Sequence, residues 1–242
     1  MKFVNLLLHR ETRSPMLALM FASLITVALV GTRIFVTRNF GYAFLVWNLF
    51  LAWLPLCFAL LAGEKFRAGE HRNWRFAALA GAWLLFFPNA PYIFTDFIHL
   101  IYGHYQRFWV DLTLILMCAL TGLVLGFVSL YLMQSIVRRL YGWVASWLFI
   151  LVVAGLSGFG VYLGRILRFN SWDVIARPLK LYHGVSTWAA NPLASSNTFT
   201  FPLLFATFIL LAYVMLYTLT HLPKPDMFRE SELKAGELPQ AA

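Results

Sequence analysis

The segment LLFFPNAPYIFTDFIHL (residues 84–100) begins as an apolar run and ends with two prolines, an asparagine, an aspartate and a histidine. Each proline lacks a backbone N–H and disfavours helical geometry in the residue before it. A membrane helix is therefore expected to kink or break at Pro88 and Pro91, on either side of Asn89. Two interpretations stay open: a proline kink in which Asn89 satisfies the freed backbone groups, or a discontinuous helix that lines a polar cavity.

The composition of the whole chain predicts an integral membrane protein. Of its 242 residues, 61% are hydrophobic and only 12% are charged, against roughly 25% charged residues in soluble domains. The net charge of +9 comes from Lys and Arg between the apolar runs, so it indicates membrane topology and contact with lipid headgroups rather than nucleic-acid binding. Cys57 and Cys118 lie inside apolar runs, where a buried packing role is expected rather than a disulfide.

Six apolar runs reach the roughly 20 residues that a transmembrane helix needs. They cover about residues 16–36, 42–62, 76–95, 109–133, 143–163 and 199–219. The predicted fold is an all-α, polytopic bundle of six transmembrane helices, which forms a single membrane domain over residues 1–222. Residues 223–242 mix both signs of charge and contain prolines, which predicts a mobile cytoplasmic tail.

The distribution of basic residues predicts the orientation of the bundle. Lys and Arg are more frequent in the N-terminal segment, the second and fourth loops and the C-terminal tail than in the other loops. The positive-inside rule then places both termini in the cytoplasm. The long loop over residues 164–198 falls on the outer side, and we expect it to contain an interfacial helix.

Polar and ionisable side chains gather at the ends of the predicted spans on this outer side. Because such groups are costly near a membrane, the cluster is a hypothesis for a ligand-binding site. Its candidate residues are Asn89, Asp96, His99, Asp111, Arg165, Arg168, Asn170 and Asp173. The alternative is a structural network, in which three aspartates and three arginines, Arg33 included, neutralise one another.

Asp96 and His99 are spaced i,i+3, so one helical face would carry both. The carboxylate would then orient the imidazole and raise its basicity, which makes this pair a weak candidate for a catalytic base. His104 would add a third ligand if a metal were bound, but a loop histidine is more often solvated, and we expect neither a metal nor a cofactor.

Arg165 and Arg168 have the same i,i+3 spacing on an expected continuation of the fifth span. Two guanidinium groups on one face would bind a phosphate or carboxylate, or would anchor the helix among lipid headgroups. Asp173 is expected to pair with one of these arginines or with His99.

The fourth and fifth spans carry small-residue motifs. Gly122 and Gly126 are four residues apart, as are Gly160 and Gly164. Such spacings allow close helix contact, and they predict that spans four and five pack tightly against each other within one chain. Dimerisation through these motifs is the less favoured alternative, and the oligomeric state stays unknown.

Three strings, WLLFFPNAPYIFTDFIHL, FWVDLTLILMCALTGLVLGFVSLYLM and GFGVYLGRILRFNSWDV, resemble the uncharacterised bacterial membrane-protein family called domain of unknown function 1361. The resemblance runs from about span two to span six. It implies a bacterial multi-pass protein of the plasma membrane, and it implies no activity. The positions that match the family motifs are Pro88, Asn89, Pro91, Tyr92, Asp96, His99, Asp111, Arg165, Arg168, Asn170 and Asp173.

Three functions follow as hypotheses. The first is binding or transport of an anionic or amphiphilic ligand at the outer leaflet, although the apolar inner halves of the spans argue against a through-channel. The second is a structural or assembly protein with a self-neutralising polar network. The third, ranked below them, is an enzyme acting on a lipid or cell-envelope substrate, since no nucleophile motif is present. Membrane lipids and an outer-leaflet ligand are the expected partners.

Overall fold

The computed structural model describes residues 13–101, 107–190 and 196–221. Within these ranges the chain is helical and contains no strand, which confirms the all-α class. The α-helices are α1 (Arg13–Thr37), α2 (Phe44–Arg67), α3 (Trp74–Phe86), α4 (Asn89–Tyr92), α5 (Phe108–Arg165), α6 (Asp173–Ala176), α7 (Pro178–Ala190) and α8 (Ser196–Thr220). Two 3₁₀ helices cover Phe40–Tyr42 and Ile93–Leu100.

Five stretches of the described chain are long and apolar enough to cross a membrane, and together they overlap all six predicted runs. They are Pro15–Thr37, Phe40–Arg67, Trp74–Leu100, Phe108–Arg165 and Phe199–Thr220. Many of their large apolar side chains face outward, such as Leu24 and Val36 of α1. Exposed apolar surface of this extent fits lipid contact rather than contact with water. The chain is a membrane-embedded protein.

Helix α5 contains two arms that fold back on each other. A straight helix of 58 residues would be about 87 Å long, almost three times a hydrocarbon core of roughly 30 Å. Gly142 interrupts it with a φ of 87° and a ψ of −178°. Trp83 donates a hydrogen bond to Ser129 Oγ (3.1 Å), and its ring lies 5.8 Å from that of Phe149. One side chain meets both residues only because the chain reverses between them.

The two arms of α5 are residues 108–141 and 143–165, and they correspond to the predicted fourth and fifth spans. Gly142 adopts the left-handed φ region, which a glycine enters without the steric cost of a Cβ atom. The reversal therefore depends on this glycine. The sequence places a span boundary here, and the arms extend beyond the predicted ends at 133 and 163.

The expected break in the third span is present, as a change of helix type. The α-helix stops at Phe86, Asn89–Tyr92 forms one further turn, and Ile93–Leu100 continues as a 3₁₀ helix. The backbone at Pro88 keeps right-handed helical angles. The chain thus continues in roughly the same helical path, but with the tighter i→i+3 hydrogen bonding of the 3₁₀ form.

The second glycine motif packs against this broken segment. A Cβ atom added to Gly160 would lie 2.7 Å from Pro88 Cγ, and one added to Gly164 would lie 3.2 Å from Tyr92 Cε2. Pro88 and Tyr92 are also four residues apart. The glycine face of the second α5 arm therefore packs against the face of the third span that carries these two bulky side chains.

The first glycine motif contacts the same segment from the first arm. Added Cβ atoms would meet Ile93 Cδ1 at 2.7 Å from Gly122 and Ala90 Cβ at 2.8 Å from Gly126. The prediction that the glycines bring spans four and five against each other is therefore wrong. The glycines instead make room for the α4 region between the two arms, because the proline-rich turn is too bulky to pack against larger side chains.

Helix α2 lies at the centre of the packing and contacts the third span and α5. Leu45, Leu49, Ala52 and Leu56 face one side of α2 and are fully or almost fully buried. Their i, i+3/i+4 spacing produces this continuous buried stripe. Cys118 is buried and Cys57 is half-buried, and both thiols are free.

The segment after α5 is helical in part, as expected for the long loop. Helix α7 has 13 residues, about 20 Å of helix, which is too short to span a membrane. It covers Phe169, because a Cβ atom added to Gly184 would lie 2.9 Å from that ring. Trp188 stacks on Phe199 at a ring distance of 5.3 Å and contacts the tilted ring of Phe159 at 4.7 Å.

The contacts divide the chain into two compact units, Met1–Leu210 and Leu211–Ala242. The first contains every element described above except the end of α8. In the second, the described part is the end of α8, where Tyr217 stacks on His221 at 4.2 Å. The predicted tail, residues 223–242, and the predicted single domain over 1–222 stay predictions, since the tail lies outside the described residues.

Candidate functional site

One end of the first unit brings together most of the polar residues singled out in the sequence. Here α1 ends, α2 begins, the 3₁₀ helix Ile93–Leu100 ends, and α5 both begins and ends. We call it the polar end. The opposite end of the same bundle carries the 68–73 loop and the reversal at Gly142, and we call it the basic end.

Asp96 is the centre of the polar end and is only 1% exposed. Asn48 Nδ2 donates to its Oδ2 atom at 2.8 Å, and Arg165 Nη1 donates to its Oδ1 atom at 3.2 Å. Arg165 also donates to Tyr92 Oη (3.3 Å) and to the carbonyl oxygen of Thr95 (2.8 Å). The guanidinium therefore joins the end of α5 to both the side chains and the backbone of the broken third span.

A second ion pair lies beside the first. Arg33 binds Asp111 in a bidentate manner, with Nε donating to Oδ1 at 2.7 Å and Nη2 to Oδ2 at 3.1 Å. The two side chains are 12% and 5% exposed. Arg33 also lies over the Tyr42 ring at 5.3 Å. A chain of rings then leads through Phe44 to His99, whose ring is 4.7 Å from that of Phe44.

His99 does not form the predicted hydrogen bond with Asp96. Its Nε2 atom is 3.9 Å from Asp96 Oδ1, which exceeds hydrogen-bonding distance, and its side chain is 43% exposed. In a 3₁₀ helix residues i and i+3 lie directly above one another, about 6 Å apart along the axis, so the two side chains share a face without coming into hydrogen-bonding contact. The carboxylate of Asp96 is already engaged by Asn48 and Arg165, so it does not orient the imidazole.

Arg168 does not share a helical face with Arg165. Helix α5 ends at Arg165, and Arg168 has a left-handed φ of 58° and an exposed side chain. The prediction of two guanidinium groups on one helical continuation is therefore wrong, because the helix stops before the second arginine. In the part of the chain that the structure describes, Arg168 forms no ion pair.

The Asp173 carboxylate binds a backbone group three residues earlier in the chain rather than a distant cation. Its Oδ2 atom accepts a hydrogen bond from the backbone N–H of Asn170 at 2.7 Å, and its own N–H donates to the Asn170 carbonyl at 2.9 Å. These two bonds close the turn over residues 170–173 that leads into α6. The expected pairing of Asp173 with Arg165, Arg168 or His99 is absent, since the short-range backbone partner is already in place.

A cavity of about 180 Å³ lies next to the Asp96 network. Among the described residues, its wall contains no charged side chain. Apolar side chains from α2, the third span, α5 and α7 form most of it. The polar groups that line it are Asn48, Asn89, Tyr92, Asn170 and Ser171.

Asn89 contributes to the cavity and also repairs the break in the third span. Its Nδ2 atom donates to the Phe86 carbonyl oxygen at 2.9 Å and to Ser171 Oγ at 3.0 Å. The first bond satisfies an acceptor that the break frees, and the second joins the third span to the segment after α5. Both sequence interpretations of Asn89 thus describe one side chain, which satisfies backbone and lines a polar cavity.

The polar lining keeps hydrogen-bonding capacity beyond these contacts. An amide group has one acceptor oxygen and two donor hydrogens, and a hydroxyl both donates and accepts. Among residues 13–101, 107–190 and 196–221, no protein group donates to Oδ1 of Asn48 or Asn89, and the hydroxyls of Tyr92 and Ser171 donate to no acceptor. The wall therefore offers both donors and acceptors.

The eight candidate residues named from the sequence omit four contributors that the geometry places in the network: Asn48, Tyr92, Tyr42 and Ser171. An asparagine in the apolar start of α2 was the available signal for the first, because an amide inside a membrane span needs a partner. Tyr92 matches a family motif, which was its signal, whereas Tyr42 and Ser171 carry no such signal in the sequence.

The described residues contain no group of three or more His, Cys, Asp or Glu side chains placed to hold a metal ion. His104, the third ligand considered in the sequence, lies outside the described residues.

Comparison with known proteins identifies a family. The family model described as "Protein of unknown function (DUF1361)" matches residues 47–212, which is more than half of the chain, so the chain belongs to this family. The match begins beside Asn48 and includes the cavity wall, the Asp96–Arg165 pair and both arms of α5. No curated protein and no solved structure matches the chain.

Proposed function

We propose that this member of the DUF1361 family is a multi-pass protein of the bacterial plasma membrane that binds the uncharged, hydrogen-bonding headgroup of an amphiphile. The binding site is the polar-end cavity. In this proposal both termini are cytoplasmic, so the polar end faces the outer leaflet, as the distribution of Lys and Arg favours.

The observation that supports the proposal is the contrast between the charged and the neutral groups at the polar end. Arg165 and Asp96 are paired with each other, and Arg33 is paired with Asp111. The amides and hydroxyls that line the cavity keep donors and acceptors to offer. A neutral ligand with hydroxyl or amide groups suits this wall better than an anion, since none of its described lining residues carries a positive charge.

The size of the cavity suits a headgroup rather than a whole ligand. Its volume of about 180 Å³ is below the roughly 300–1,000 Å³ of pockets that enclose a drug-sized molecule. Apolar side chains such as Leu51, Leu85 and Leu163 form the rest of the wall. An amphiphile would place its polar group against the asparagines and extend its chain along the apolar surface of the helices.

A second function is supported by a different observation. The buried ion pairs join α1 to α5 and the third span to the end of α5, so the polar end would also serve a structural or assembly protein without any ligand. Catalysis is not proposed, because His99 lies 3.9 Å from Asp96 and is not oriented by it.

The test fills the cavity without touching the charged network. Leu181 of α7 lines the cavity, whereas Leu179 of the same helix is 75% exposed and is not part of its wall. Native mass spectra of the full chain, purified in a mild detergent, would be compared for wild type, Leu181→Trp and the control Leu179→Trp. We expect a defined added mass in wild type and in Leu179→Trp, and its loss in Leu181→Trp.

Thermal unfolding of the three proteins in the same detergent checks that each one is folded. Retention by Leu181→Trp of the added mass of an uncharged amphiphile would overturn the cavity as the binding site. A wild-type protein with no added mass would leave the structural function as the better supported one.

A further inference from the structure

We infer a second site, at the basic end, that binds an anionic phospholipid. This site is separate from the polar-end cavity and lies between the start of α3 and the reversal of α5. It is a cavity of about 420 Å³, within the range of roughly 300–1,000 Å³ that ligand pockets occupy.

The walls of this cavity are apolar and come from three helical segments. Phe76 and Ala80 of α3 form one side, and Phe149 of the second α5 arm forms another. The first arm contributes a stripe with i, i+3, i+4 and i+7 spacing: Met133, Ile136, Val137 and Leu140. A helical stripe of this kind normally faces a neighbouring helix. Here it faces an open volume between helices, which suits an acyl chain.

The mouth of the cavity is basic. His71 and Arg72 belong to its wall, and Arg138 and Arg139 are exposed on the adjacent turn of α5. Within the described ranges, none of these three arginines forms an ion pair; the nearby Glu70 is engaged by Lys65 at 2.7 Å. The uncompensated charge at the mouth is therefore positive, and its complement is an anionic headgroup.

Aromatic side chains place this mouth at the level of lipid headgroups. Trp74, Tyr141 and Trp143 flank it and are 73%, 73% and 59% exposed. Trp and Tyr concentrate at membrane–water interfaces because one part of each ring is apolar and another is polar. Basic pockets between helices at this level bind anionic lipid headgroups. An apolar cavity with a basic mouth at the interface fits a lipid better than a soluble anion.

Arg72 and Arg75 provide a matched pair of variants for the test. Both are exposed and lie three residues apart, but only Arg72 lines the cavity, whereas the Arg75 guanidinium lies over the Trp74 ring at 5.9 Å. Arg72→Gln and Arg75→Gln thus remove the same charge from the same end of the protein. A third variant, Ala80→Phe, fills the apolar wall and leaves every charge in place.

The experiment titrates the full-length protein in detergent with phosphatidylglycerol or with phosphatidylcholine of identical acyl chains, and counts bound lipid by native mass spectrometry. We expect wild type to prefer phosphatidylglycerol. Arg72→Gln should bind it about fivefold more weakly, the effect of losing one cation close to the headgroup, and Arg75→Gln less than twofold more weakly. Ala80→Phe should lose binding of phosphatidylglycerol although its charge is unchanged.

Several outcomes would overturn the inference. Equal binding of the two lipids by wild type would remove the role of charge, and equal losses in Arg72→Gln and Arg75→Gln would indicate a diffuse surface effect. Competition by inorganic phosphate or by the free glycerophosphate headgroup, as strong as by lipid, would make the site one for soluble anions. Leu181→Trp should keep phosphatidylglycerol binding. The proposal for this site and the proposal for the polar-end cavity are therefore tested independently.

Discussion

The polar end and the basic end differ in the burial and the pairing of their charged side chains. At the polar end Asp96 and Asp111 are almost completely buried, and each is paired with an arginine. At the basic end the described ion pair is Lys65 with Glu70, whose side chains are 32% and 41% exposed. The arginines of that end lie at the surface.

The difference follows from the cost of removing a charge from water. An ion in a low-dielectric interior loses several kcal/mol of solvation, which only a close partner offsets, whereas an exposed ion keeps its hydration. Pairing is therefore obligatory where residues are buried and optional where they are exposed. Buried charges at the polar end fix the helices, and exposed charges at the basic end stay available for a partner.

The largest expected effect is the loss of a buried pair. Replacing Arg165 by Ala leaves the Asp96 carboxylate buried without its cation, so we expect the free energy of unfolding to fall by about 3–5 kcal/mol. Arg168→Ala is the matched control, since Arg168 is exposed and makes no ion pair within the described chain; its effect should stay within about 0.5 kcal/mol. Unfolding by SDS in mixed micelles measures both variants.

A double variant separates an unpaired charge from a general loss of packing. Arg165→Met with Asp96→Leu removes both charges, and it should recover part of the stability that Arg165→Ala loses, because no buried ion stays without a partner. If Arg165→Ala and Arg168→Ala were equally stable, the contrast between buried and exposed charges would be wrong for this end of the molecule.

The next effect concerns the packing that holds the polar end in place. Gly160→Ala adds a methyl group that would lie 2.7 Å from Pro88 Cγ, and a proline ring has little freedom to move away. We expect the variant to lose about 1–3 kcal/mol, as overpacked cores do. Gly155 of the same helix has nothing within 4 Å of an added Cβ, so Gly155→Ala should be neutral or up to about 1 kcal/mol more stable.

The same SDS titration measures this pair, and comparison with a Gly164→Ala variant sharpens it. Its added methyl group would lie 3.2 Å from a Tyr92 ring atom, so a smaller loss is expected than at Gly160. Equal stabilities for Gly155→Ala and Gly160→Ala would mean that the α4 region does not pack closely against α5.

The sequence predicts the helices of this protein better than their contacts. Apolar runs of about 20 residues leave few alternatives to a membrane helix, and the paired prolines at 88 and 91 predict an interruption of the third span. A single proline is a weaker signal, since Pro55 lies inside the continuous helix α2. Convergence of the polar residues at one end was also predictable, since spans that alternate in direction bring every second helix end to the same side.

The partner of each polar residue was not predictable from spacing. Arg165 and Arg168 look equivalent in the sequence, yet the helix ends between them, so only Arg165 reaches Asp96. The i,i+3 spacing of Asp96 and His99 places both on one face, but it does not show that Asn48 and Arg165 already bind the carboxylate. Likewise the glycine motifs indicate close contact with another segment of the chain, but they do not identify that segment as the proline-rich turn.

The smallest expected effect is at the exposed pair of the basic end. The hydrogen bond and charge of Lys65 hold the pKa of the Glu70 carboxyl below its ordinary value. A folded-state pKa below the unfolded one means that the pair contributes stability above the unfolded pKa and loses it as pH falls through the folded pKa. Because the Glu70 side chain is 41% exposed, this contribution is screened by solvent, and we expect Glu70→Gln to leave the unfolding midpoint unchanged at neutral pH.

Titration of the Glu70 carboxyl by NMR, in protein labelled at the glutamate side chains, tests the direction of its pKa directly, with Lys65→Met as the control that should return the pKa toward its ordinary value. Glu70→Gln also frees Lys65 near the mouth of the lipid cavity, so phosphatidylglycerol binding should strengthen slightly. A loss of stability comparable with that of Arg165→Ala would contradict the rule that separates the two ends, because an exposed pair would then contribute as much as a buried one.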